Sequence, residues 1–367
     1  MINYLKSSIS ISSYNGCTIN CKYCILSSLG NRENVRKVED EKELVKKLLS
    51  LKLYSPEIPI SVNNQTDPLL NKEIFNSTIK ILKEMEKNEV PNPILIITKG
   101  YITEEQIKQI EKITLNLIIL YTFSGLSEKL ENRNEKSQIE TLKKLSKLQN
   151  CKLINYYRPV IEGINSDKET IEHIAKIVTK YCRASIVSGI RMNTHLKQIF
   201  EKNGITIPEK YDTDHKVLYP ETYNKIKEIF KQTKKEYPVF KKTSCGVSYI
   251  CGKPDYNGHS ARIHYCNPNC ISYPVCIGTN KIGFCNPDCP NFKVCKKESQ
   301  KIITENEFKN LLKKIGKETN TFEIRENYIE LHGTFWQEEV SYLRHICKKN
   351  IKADKLLKRE DEFLLSL

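Results

Sequence analysis

The sequence is poor in glycine and proline and has no long apolar segment. Its 367 residues include only 14 Gly and 14 Pro, and 39% of them are hydrophobic. This composition excludes a collagenous, low-complexity or wholly disordered chain. No stretch approaches the roughly 18–20 uninterrupted apolar residues of a membrane helix, and the N-terminus lacks the apolar core of a signal peptide. We therefore expect a soluble, cytoplasmic protein with no membrane partner.

Acidic residues are outnumbered by basic ones. The chain has 44 Asp and Glu against 59 Lys and Arg, which gives a formal net charge of +15. Such a balance is typical of proteins that bind nucleic acid. However, the excess is mostly Lys spread along predicted helix faces, such as residues 142–147. Lysines on solvated helix faces explain the charge equally well, so charge alone does not identify the partner.

Short apolar runs alternate with amphipathic segments between residues 8 and 190. Apolar residues at spacings of 3, 4 and 7 predict helices, for example at 40–52, 71–86 and 137–148, and dense β-branched runs predict buried strands. Repeated β-α units imply a parallel sheet, and six of them indicate an α/β fold with a partial (β/α)6 TIM-like barrel. We expect its chemistry at the carboxyl ends of the strands. The six strand candidates are 8–14, 58–63, 93–99, 115–123, 152–161 and 184–190.

Cysteine is the most informative residue type. Eleven of the 14 cysteines fall into two groups, one near the N-terminus and one between residues 245 and 295. In a chain without an export signal, clustered cysteines indicate metal or cluster ligands rather than disulfides. The remaining three, Cys151, Cys182 and Cys347, are predicted to be buried structural thiols.

The first group is Cys17, Cys21 and Cys24, in a C-x3-C-x2-C pattern directly after the first predicted strand. Three closely spaced thiolates can hold three irons of a cubane cluster and leave the fourth iron open. An open metal position is typical of a reactive centre. Zinc is the alternative, but it usually takes four ligands, and no fourth Cys or His lies nearby in the sequence.

This pattern, including Tyr23 before the third cysteine, resembles the signature of the radical S-adenosylmethionine superfamily. The resemblance implies a catalytic [4Fe–4S] cluster on Cys17, Cys21 and Cys24. It further implies S-adenosylmethionine as cofactor, with Tyr23 beside its adenine, and reductive cleavage to a 5′-deoxyadenosyl radical. An electron donor such as flavodoxin or ferredoxin is then expected. Residues 1–190 look most similar to the spore photoproduct lyase-like branch, through segments 66–72, 97–99 and 158–165.

Polar residues that follow the predicted strands are candidates for binding the cofactor. The Gly-Gly-Glu motif that many relatives carry after the second strand is replaced by residues 62–68, VNNQTDP. A charged, hydroxyl-rich cofactor suits a rim of polar side chains, on which Arg158 can pair with a carboxylate and Ser124 can meet a ribose hydroxyl. Each of these side chains could instead be a strand-end cap or part of a rim salt bridge. The candidates are Asn63, Asn64, Thr66, Lys99, Ser124 and Arg158.

The second cysteine group contains an internal repeat. Residues 265–276 and 284–295 both read aromatic-Cys-Asn-Pro-x-Cys and end in Val-Cys, so C-x3-C-x5-C is doubled. Eight thiolates could fill two four-Cys [4Fe–4S] sites, or one site and a partly open one. Zinc is the rival, since four-Cys zinc sites are common in loop-rich modules and His259 and His264 are nearby. We expect one or two auxiliary [4Fe–4S] clusters here, on Cys245, Cys251, Cys266, Cys270, Cys276, Cys285, Cys289 and Cys295.

These patterns divide the chain into four segments. They are a radical S-adenosylmethionine barrel (1–200), a helical connection (201–243), a cysteine-rich auxiliary cluster domain (244–300) and a small α/β appendage (301–367). The predicted function is a radical enzyme that abstracts hydrogen from a peptide or protein substrate in order to modify it. The alternatives are an enzyme acting on nucleic acid and, as a lesser one, a metal-binding protein without catalytic activity.

Overall fold

A parallel sheet with helices on its outer face organises the chain. The computed structural model describes residues 1–5, 7–24, 26, 34–206, 218–259, 285, 288–325 and 328–357. Eight strands form the main sheet in the order β1-β2-β5-β6-β7-β8-β9-β10. All pair in parallel except β1, which pairs antiparallel with β2 at one edge. The strands of this sheet are β1 (Ile2–Leu5), β2 (Ser8–Ile11), β5 (Ile60–Val62), β6 (Ile94–Thr98), β7 (Leu117–Tyr121), β8 (Cys151–Val160), β9 (Ser185–Gly189) and β10 (Val239–Phe240). The strands β3 (Tyr14–Asn15) and β4 (Arg36–Lys37) form a separate two-stranded antiparallel ribbon.

The helices between the strands start where short polar side chains cap them. Asp40, Asn71 and Asp167 each accept hydrogen bonds from backbone N–H groups of the first turn, which satisfies donors that the helix itself cannot pair. Through the barrel the helices are α1 (Glu41–Leu49), α2 (Lys72–Lys87), α3 (Glu104–Ile110), α4 (Glu128–Glu131), α5 (Glu135–Leu145), α6 (Lys168–Tyr181), α7 (Thr194–Lys202) and α8 (Pro220–Thr233). None of the described helices is long and apolar enough to cross a membrane.

The two faces of the sheet are packed differently. The outer face carries Ile9, Ile11 and Ile60, which are fully buried against the helices in the main core. Alternate residues point inward, so β2 presents Ser8 and Ser10 to the interior, and Ser12 follows directly after it. Strands β6 to β10 instead present an apolar interior surface that includes Leu95, Leu120, Ile154 and Ile186. The interior is therefore polar at β2 and apolar toward β10.

Helix α9 (Thr243–Ile250) covers the apolar half of this interior. A Cβ atom added at Gly246 would lie 2.6 Å from Cγ1 of Ile186, so α9 lies directly against β9. At the start of α9, the Thr243 and Tyr156 hydroxyls lie 2.8 Å apart. At its end, Asn116 Nδ2 lies 3.9 Å from Cys251 Sγ. The helix thus runs beside β8 and β9 within the open sheet.

The remaining elements form a small α/β unit packed on β1. They are α10 (Phe292–Ser299), α11 (Glu305–Lys314), α12 (Gln337–Cys347) and a sheet of β11 (Phe322–Ile324), β12 (Tyr328–Trp336) and β13 (Asn350–Leu357). His345 on α12 stacks on Tyr4 of β1 and hydrogen-bonds its hydroxyl. The unit therefore shares the core of the barrel.

The predicted α/β fold is confirmed, with two differences in strand number. All six predicted strands form, and they lie in one open parallel sheet as expected of a partial barrel. The structure adds β10 as a seventh parallel strand and β1 as an antiparallel edge. Both are too short to stand out by periodicity. The tail beyond residue 349, which the sequence left without a prediction, contributes β13.

Candidate functional site

The three N-terminal cysteines lie in one loop beside the carboxyl ends of the strands. This loop is tied down by backbone hydrogen bonds from Gly16 N to Gln65 O (3.1 Å) and from Lys22 N to Leu130 O (2.9 Å). Asn132 Nδ2 also donates to Ile19 O at 2.8 Å. The loop is therefore anchored both to the segment after β5 and to the segment around α4.

The three thiols lie close together. Burial raises the pKa of Cys17 to about 12, and the charges of Asp67, Cys21 and Cys24 add to the rise. Burial also raises the pKa of Cys21, although the Lys99 ammonium opposes it. Without a metal Cys17 and Cys21 are therefore largely protonated, and a bound cation would supply the positive charge that thiolates need.

Three of the predicted cofactor residues converge on a residue that the sequence analysis missed, Glu131. Its carboxylate is 1% exposed and accepts from Lys99 Nζ at 3.1 Å. Tyr23 OH also donates to it, and Lys99 Nζ in turn contacts Tyr23 OH. Ser124 Oγ lies 3.3 Å from its other oxygen. Tyr23, Lys99 and Ser124 are thus brought together around a buried carboxylate, and their role toward the cofactor stays a prediction.

The charges in this cluster balance one another. Burial alone would lower the pKa of Lys99, but the Glu131 carboxylate raises it above its ordinary value, so Lys99 stays protonated. Burial and the same carboxylate raise the pKa of Tyr23 well above its usual range, so Tyr23 stays a neutral donor. The Lys99 ammonium also lies 4.5 Å from the centre of the Tyr23 ring. A buried cation is therefore held immediately beside the cysteine loop.

Asp67 sets the position of Lys99. Its Oδ1 accepts from Thr98 Oγ1 (2.6 Å) and Leu69 N (2.8 Å), and its Oδ2 accepts from Lys99 N (2.9 Å). At Gly100 a Cβ atom would lie only 2.5 Å from Cβ of Leu69. The segments 66–72 and 97–99, which carried the resemblance in the sequence, are thus locked together at the strand ends.

Asn63 and Thr66 differ in how far their side chains are engaged. The Asn63 amide is fully buried, accepts from Ser13 N and Oγ at 3.0 Å, and donates to Thr78 Oγ1 at 2.8 Å. These contacts favour a structural role, and its role toward a cofactor stays a prediction. Thr66 Oγ1, in contrast, is buried and has no hydrogen-bond partner among the described residues.

Arg158 lies two residues before the end of β8, near the predicted strand end. Its guanidinium contacts the Tyr156 hydroxyl and lies 5.0 Å from the centre of that ring. No carboxylate of the described residues forms an ion pair with it. The rim salt bridge that the sequence left open is therefore not seen there, and the guanidinium remains free to pair with a carboxylate ligand.

These observations fit the cofactors that the sequence pattern implies. Three thiols lie in one anchored loop, and two cationic side chains stand near the carboxyl ends of strands, Lys99 just after β6 and Arg158 on β8, with β7 between them. Besides Thr66 Oγ1, the buried atoms Asn15 Oδ1 and Gln65 Oε1 have no partner among the described residues. Buried polar atoms without partners are rare in proteins, and a polar ligand beside the loop would satisfy them.

The second cysteine group is described in part. Cys266, Cys270, Cys276 and His264, and with them most of the doubled repeat, lie outside the described residues. Cys245 is on α9, Cys295 is buried on α10, and Cys289 and Cys285 precede α10. The charges of Cys285, Cys289 and Cys295 help to raise the pKa of Cys245, after burial and Asp255, so the four thiols are neighbours. Whether they bind clusters stays a prediction.

Cys251 lies apart from these thiols, at the far end of α9. Six residues separate it from Cys245, which corresponds to about 9 Å along a helix axis. Its Sγ is the one that Asn116 Nδ2 approaches. Of the three isolated cysteines, Cys151 and Cys182 are buried as predicted, whereas Cys347 is partly exposed.

A cavity of about 1000 Å³ adjoins this second group beside β10. Cys245, Cys285 and Cys289 line one part of it, and Tyr223 and Phe240 line another. Five lysines complete the lining, namely Lys227, Lys231, Lys235, Lys241 and Lys242. The cavity therefore combines thiols, aromatic rings and positive charge.

Comparison with known proteins agrees with the pattern. Residues 11–178 match the Radical SAM superfamily. No curated protein matches the sequence. Among solved structures, a doubly substituted spore photoproduct lyase with bound AdoMet and dinucleoside spore photoproduct is similar over 65% of this chain and 76% of that one, with 13% identity and a TM-score of 0.51.

Two further structures are similar over the same share of this chain. A singly substituted spore photoproduct lyase has 14% identity and a TM-score of 0.50 over the same shares of both chains. SuiB of Streptococcus suis bound to precursor peptide SuiA matches 65% of this chain and 50% of its own, with 15% identity and a TM-score of 0.44. At these identities the likeness concerns the fold. The family match identifies residues 11–178 as a radical SAM domain, which indicates an enzyme.

Proposed function

We propose that the enzyme cleaves S-adenosylmethionine reductively and uses the resulting radical to abstract hydrogen from a peptide or protein, which it modifies. The observation that carries the first half is the anchored loop of Cys17, Cys21 and Cys24 beside the buried Lys99–Glu131 pair. When bound, a [4Fe–4S] cluster and S-adenosylmethionine supply the radical chemistry. The three thiols would hold the cluster.

The chain's own residues would bind and orient the cofactor. Lys99 and Arg158 stand at the ends of β6 and β8, and each can pair with the cofactor's carboxylate. Thr66 Oγ1 and Gln65 Oε1 offer unpaired hydrogen-bonding atoms beside the loop. Glu131 would hold Tyr23, Lys99 and Ser124 in place.

Reductive cleavage can be tested without knowing the substrate. Anaerobically reconstituted protein with dithionite and S-adenosylmethionine should form 5′-deoxyadenosine, measured by liquid chromatography and mass spectrometry. Replacing Cys17, Cys21 and Cys24 by Ala should abolish it, while Cys347→Ser, which alters a thiol outside both groups, should not. Formation of 5′-deoxyadenosine by the triple variant would refute the proposal.

Two features support a peptide or protein substrate. Among the described residues, β13 pairs with β12 alone, so its other edge can accept an extended chain by strand addition. In addition, Cys285, Cys289 and Cys295 would form one or two auxiliary clusters with the other repeat cysteines, and Cys285 and Cys289 line a cavity large enough for several residues of a peptide. Such a cluster would bind the substrate or accept an electron after hydrogen abstraction.

The lysines of the cavity support a second candidate, a nucleic-acid substrate. Lys227 and Lys231 are four residues apart on α8 and so lie on one face of it, and Lys235, just after the helix, lines the same cavity. The Nζ atom of Lys227 forms a long ion pair with Asp288 Oδ2, at 3.7 Å. Such a row of positive charge can follow a phosphate backbone.

Salt dependence distinguishes the two candidates. If single-stranded nucleic acid is the substrate, the logarithm of its affinity should fall with the logarithm of salt concentration by about 0.7 per phosphate contacted. Replacing Lys227, Lys231 and Lys235 by Gln should then reduce that slope, whereas replacing Lys143, Lys144 and Lys147 on α5 and just after it should not. An oligonucleotide affinity that is negligible at physiological salt would eliminate this candidate and leave the peptide.

A further inference from the structure

Three chemically different metal ligands meet at the start of the second cysteine group. Cys245 Sγ lies 3.9 Å from His259 Nδ1, and His259 Nδ1 lies 2.8 Å from Asp255 Oδ2. One ligand atom from each residue lies within 4.8 Å of the other two. A tetrahedral zinc site with bonds of about 2.0–2.3 Å has ligand-to-ligand distances of about 3.3–3.8 Å. The two separations of 2.8 and 3.9 Å lie on either side of this range.

The Asp255 carboxylate has one oxygen that accepts no hydrogen bond from the described residues. Asp255 is 3% exposed, and its Oδ1 is buried with no hydrogen-bond partner among the described residues. Its Oδ2 accepts from both His259 N and His259 Nδ1 at 2.8 Å. An unpartnered carboxylate oxygen in the interior is costly unless a cation or donor joins it.

The loop that carries Asp255 and His259 is held from several sides. Tyr256 OH donates to Ser7 O at 2.7 Å, and Asn257 Oδ1 lies 2.8 Å from His345 Nε2. Gly258 adopts a φ of +60°, and a Cβ atom there would lie 2.6 Å from the backbone of Lys348. Cys245 is fixed in turn by the packing of α9 on β9. Asp255 and His259 are therefore pre-positioned by the β1–β2 turn and by α12, and Cys245 by β9.

We propose that Cys245, Asp255 and His259 bind a single divalent metal ion of the zinc type. Sulfur, nitrogen and oxygen ligands together suit a borderline-soft ion and differ from the all-thiolate set of a cubane cluster. Binding displaces the thiol proton of Cys245 and the proton shared by His259 and Asp255. Cys245 would then not be a ligand of the auxiliary clusters. The cysteines of the doubled repeat would hold those clusters.

Metal binding tests the site independently of radical chemistry. The full chain with Cys17, Cys21 and Cys24 replaced by Ala is freed of metal and titrated with Zn²⁺, and in parallel with Co²⁺ as a spectroscopic probe. Asp255→Asn and His259→Gln should each weaken the binding of one Zn²⁺ per chain by more than about 100-fold, because losing a ligand exceeds the 10–100-fold effect of losing an outer contact. Cys347→Ser and His173→Ala, which alter a thiol and an imidazole elsewhere, should leave that affinity unchanged.

X-ray absorption of the zinc-loaded protein gives a second measurement that needs no variant. It should show nitrogen or oxygen neighbours at about 2.0–2.2 Å together with sulfur at about 2.3 Å. A zinc environment of sulfur alone, or full affinity in either Asp255→Asn or His259→Gln, would overturn the proposal. Neither result bears on 5′-deoxyadenosine formation, which needs only the N-terminal cysteines, so the proposed function is judged separately.

Discussion

At the scale of single residues, the site depends on the buried carboxylate of Glu131, which no sequence pattern predicts. Glu131 sits in a four-residue helix without periodicity, yet its carboxylate joins Tyr23, Lys99 and Ser124. Sequence reasoning finds Lys99 because it follows a strand of clear apolar character. It cannot find Glu131, since only the folded chain shows which of many glutamates faces inward.

Glu131→Gln should destabilise the protein by about 3 kcal/mol, because it leaves the Lys99 ammonium largely buried without its partner. Adding Lys99→Met should restore part of that loss, since the unpaired charge is then gone. Urea unfolding of the two single variants and the double variant, prepared identically, measures both effects. Additive losses in the double variant would show that the two residues do not interact.

Arg158→Ala should weaken S-adenosylmethionine binding by about 1–3 kcal/mol, the contribution of a charge-assisted hydrogen bond. Equilibrium titration of the reconstituted protein measures this. Arg183→Ala is the matched control, because Arg183 is exposed and precedes β9 at the opposite, amino-terminal edge of the sheet. Equal affinity in Arg158→Ala and the wild type would exclude the proposed pairing.

At the scale of elements, the strand ends are aligned by a polar clamp. Asp67 binds Thr98 and the backbone of Lys99, while Gly100 lets the following turn approach Leu69. The clamp explains why two segments 30 residues apart behave as one structural unit at the rim. It also fixes the direction from which Lys99 enters the site.

Gly100→Ala should cost about 1–3 kcal/mol of stability, because its Cβ would overlap Leu69 and its carbonyl oxygen. The same substitution at Gly163, where nothing lies within 4 Å, should cost only the roughly 1–2 kcal/mol of a left-handed residue. Thermal unfolding of both variants compares them. If Gly100→Ala were as stable as the wild type, the close approach at the rim would be wrong.

The sequence predicted the regular elements well and the side-chain partnerships poorly. All six central strands and helices such as α2 follow from long, strongly periodic segments. The edge strands β1 and β10 were missed because four and two residues carry no measurable period. Asn63 directly follows β5, where the apolar run ends, but spacing could not show that its amide is engaged with Ser13 and Thr78. Hydrogen-bond partners distant in sequence depend on tertiary packing, which periodicity does not encode.

At the scale of the whole molecule, two cysteine groups occupy different places around one sheet. The N-terminal group lies beside the loop after β5, whereas Cys245 lies on α9 against β9. Because different elements hold the two groups, the metal content of one should be independent of the other.

Anaerobically reconstituted protein should carry about 8 to 12 irons, counting four per cubane. Replacing Cys17, Cys21 and Cys24 by Ala should remove about four irons and leave the brown colour. Replacing Cys285 and Cys289 should remove a further cluster yet spare 5′-deoxyadenosine formation in the absence of substrate. Iron and sulfide analysis of each variant measures these losses. Zinc without iron or labile sulfide in the triple variant would make the second group a structural zinc module.

The uneven interior of the sheet has a consequence for electrostatics. Ser10 Oγ is buried without a partner among the described residues, and such hydroxyls are commonly satisfied by ordered water. The polar β2 side therefore screens a charge more than the apolar side covered by α9. The field of Arg158, on β8, is accordingly stronger across the α9 side. A reacting group inside the sheet would thus face hydroxyl groups on one flank and a less screened positive charge on the other.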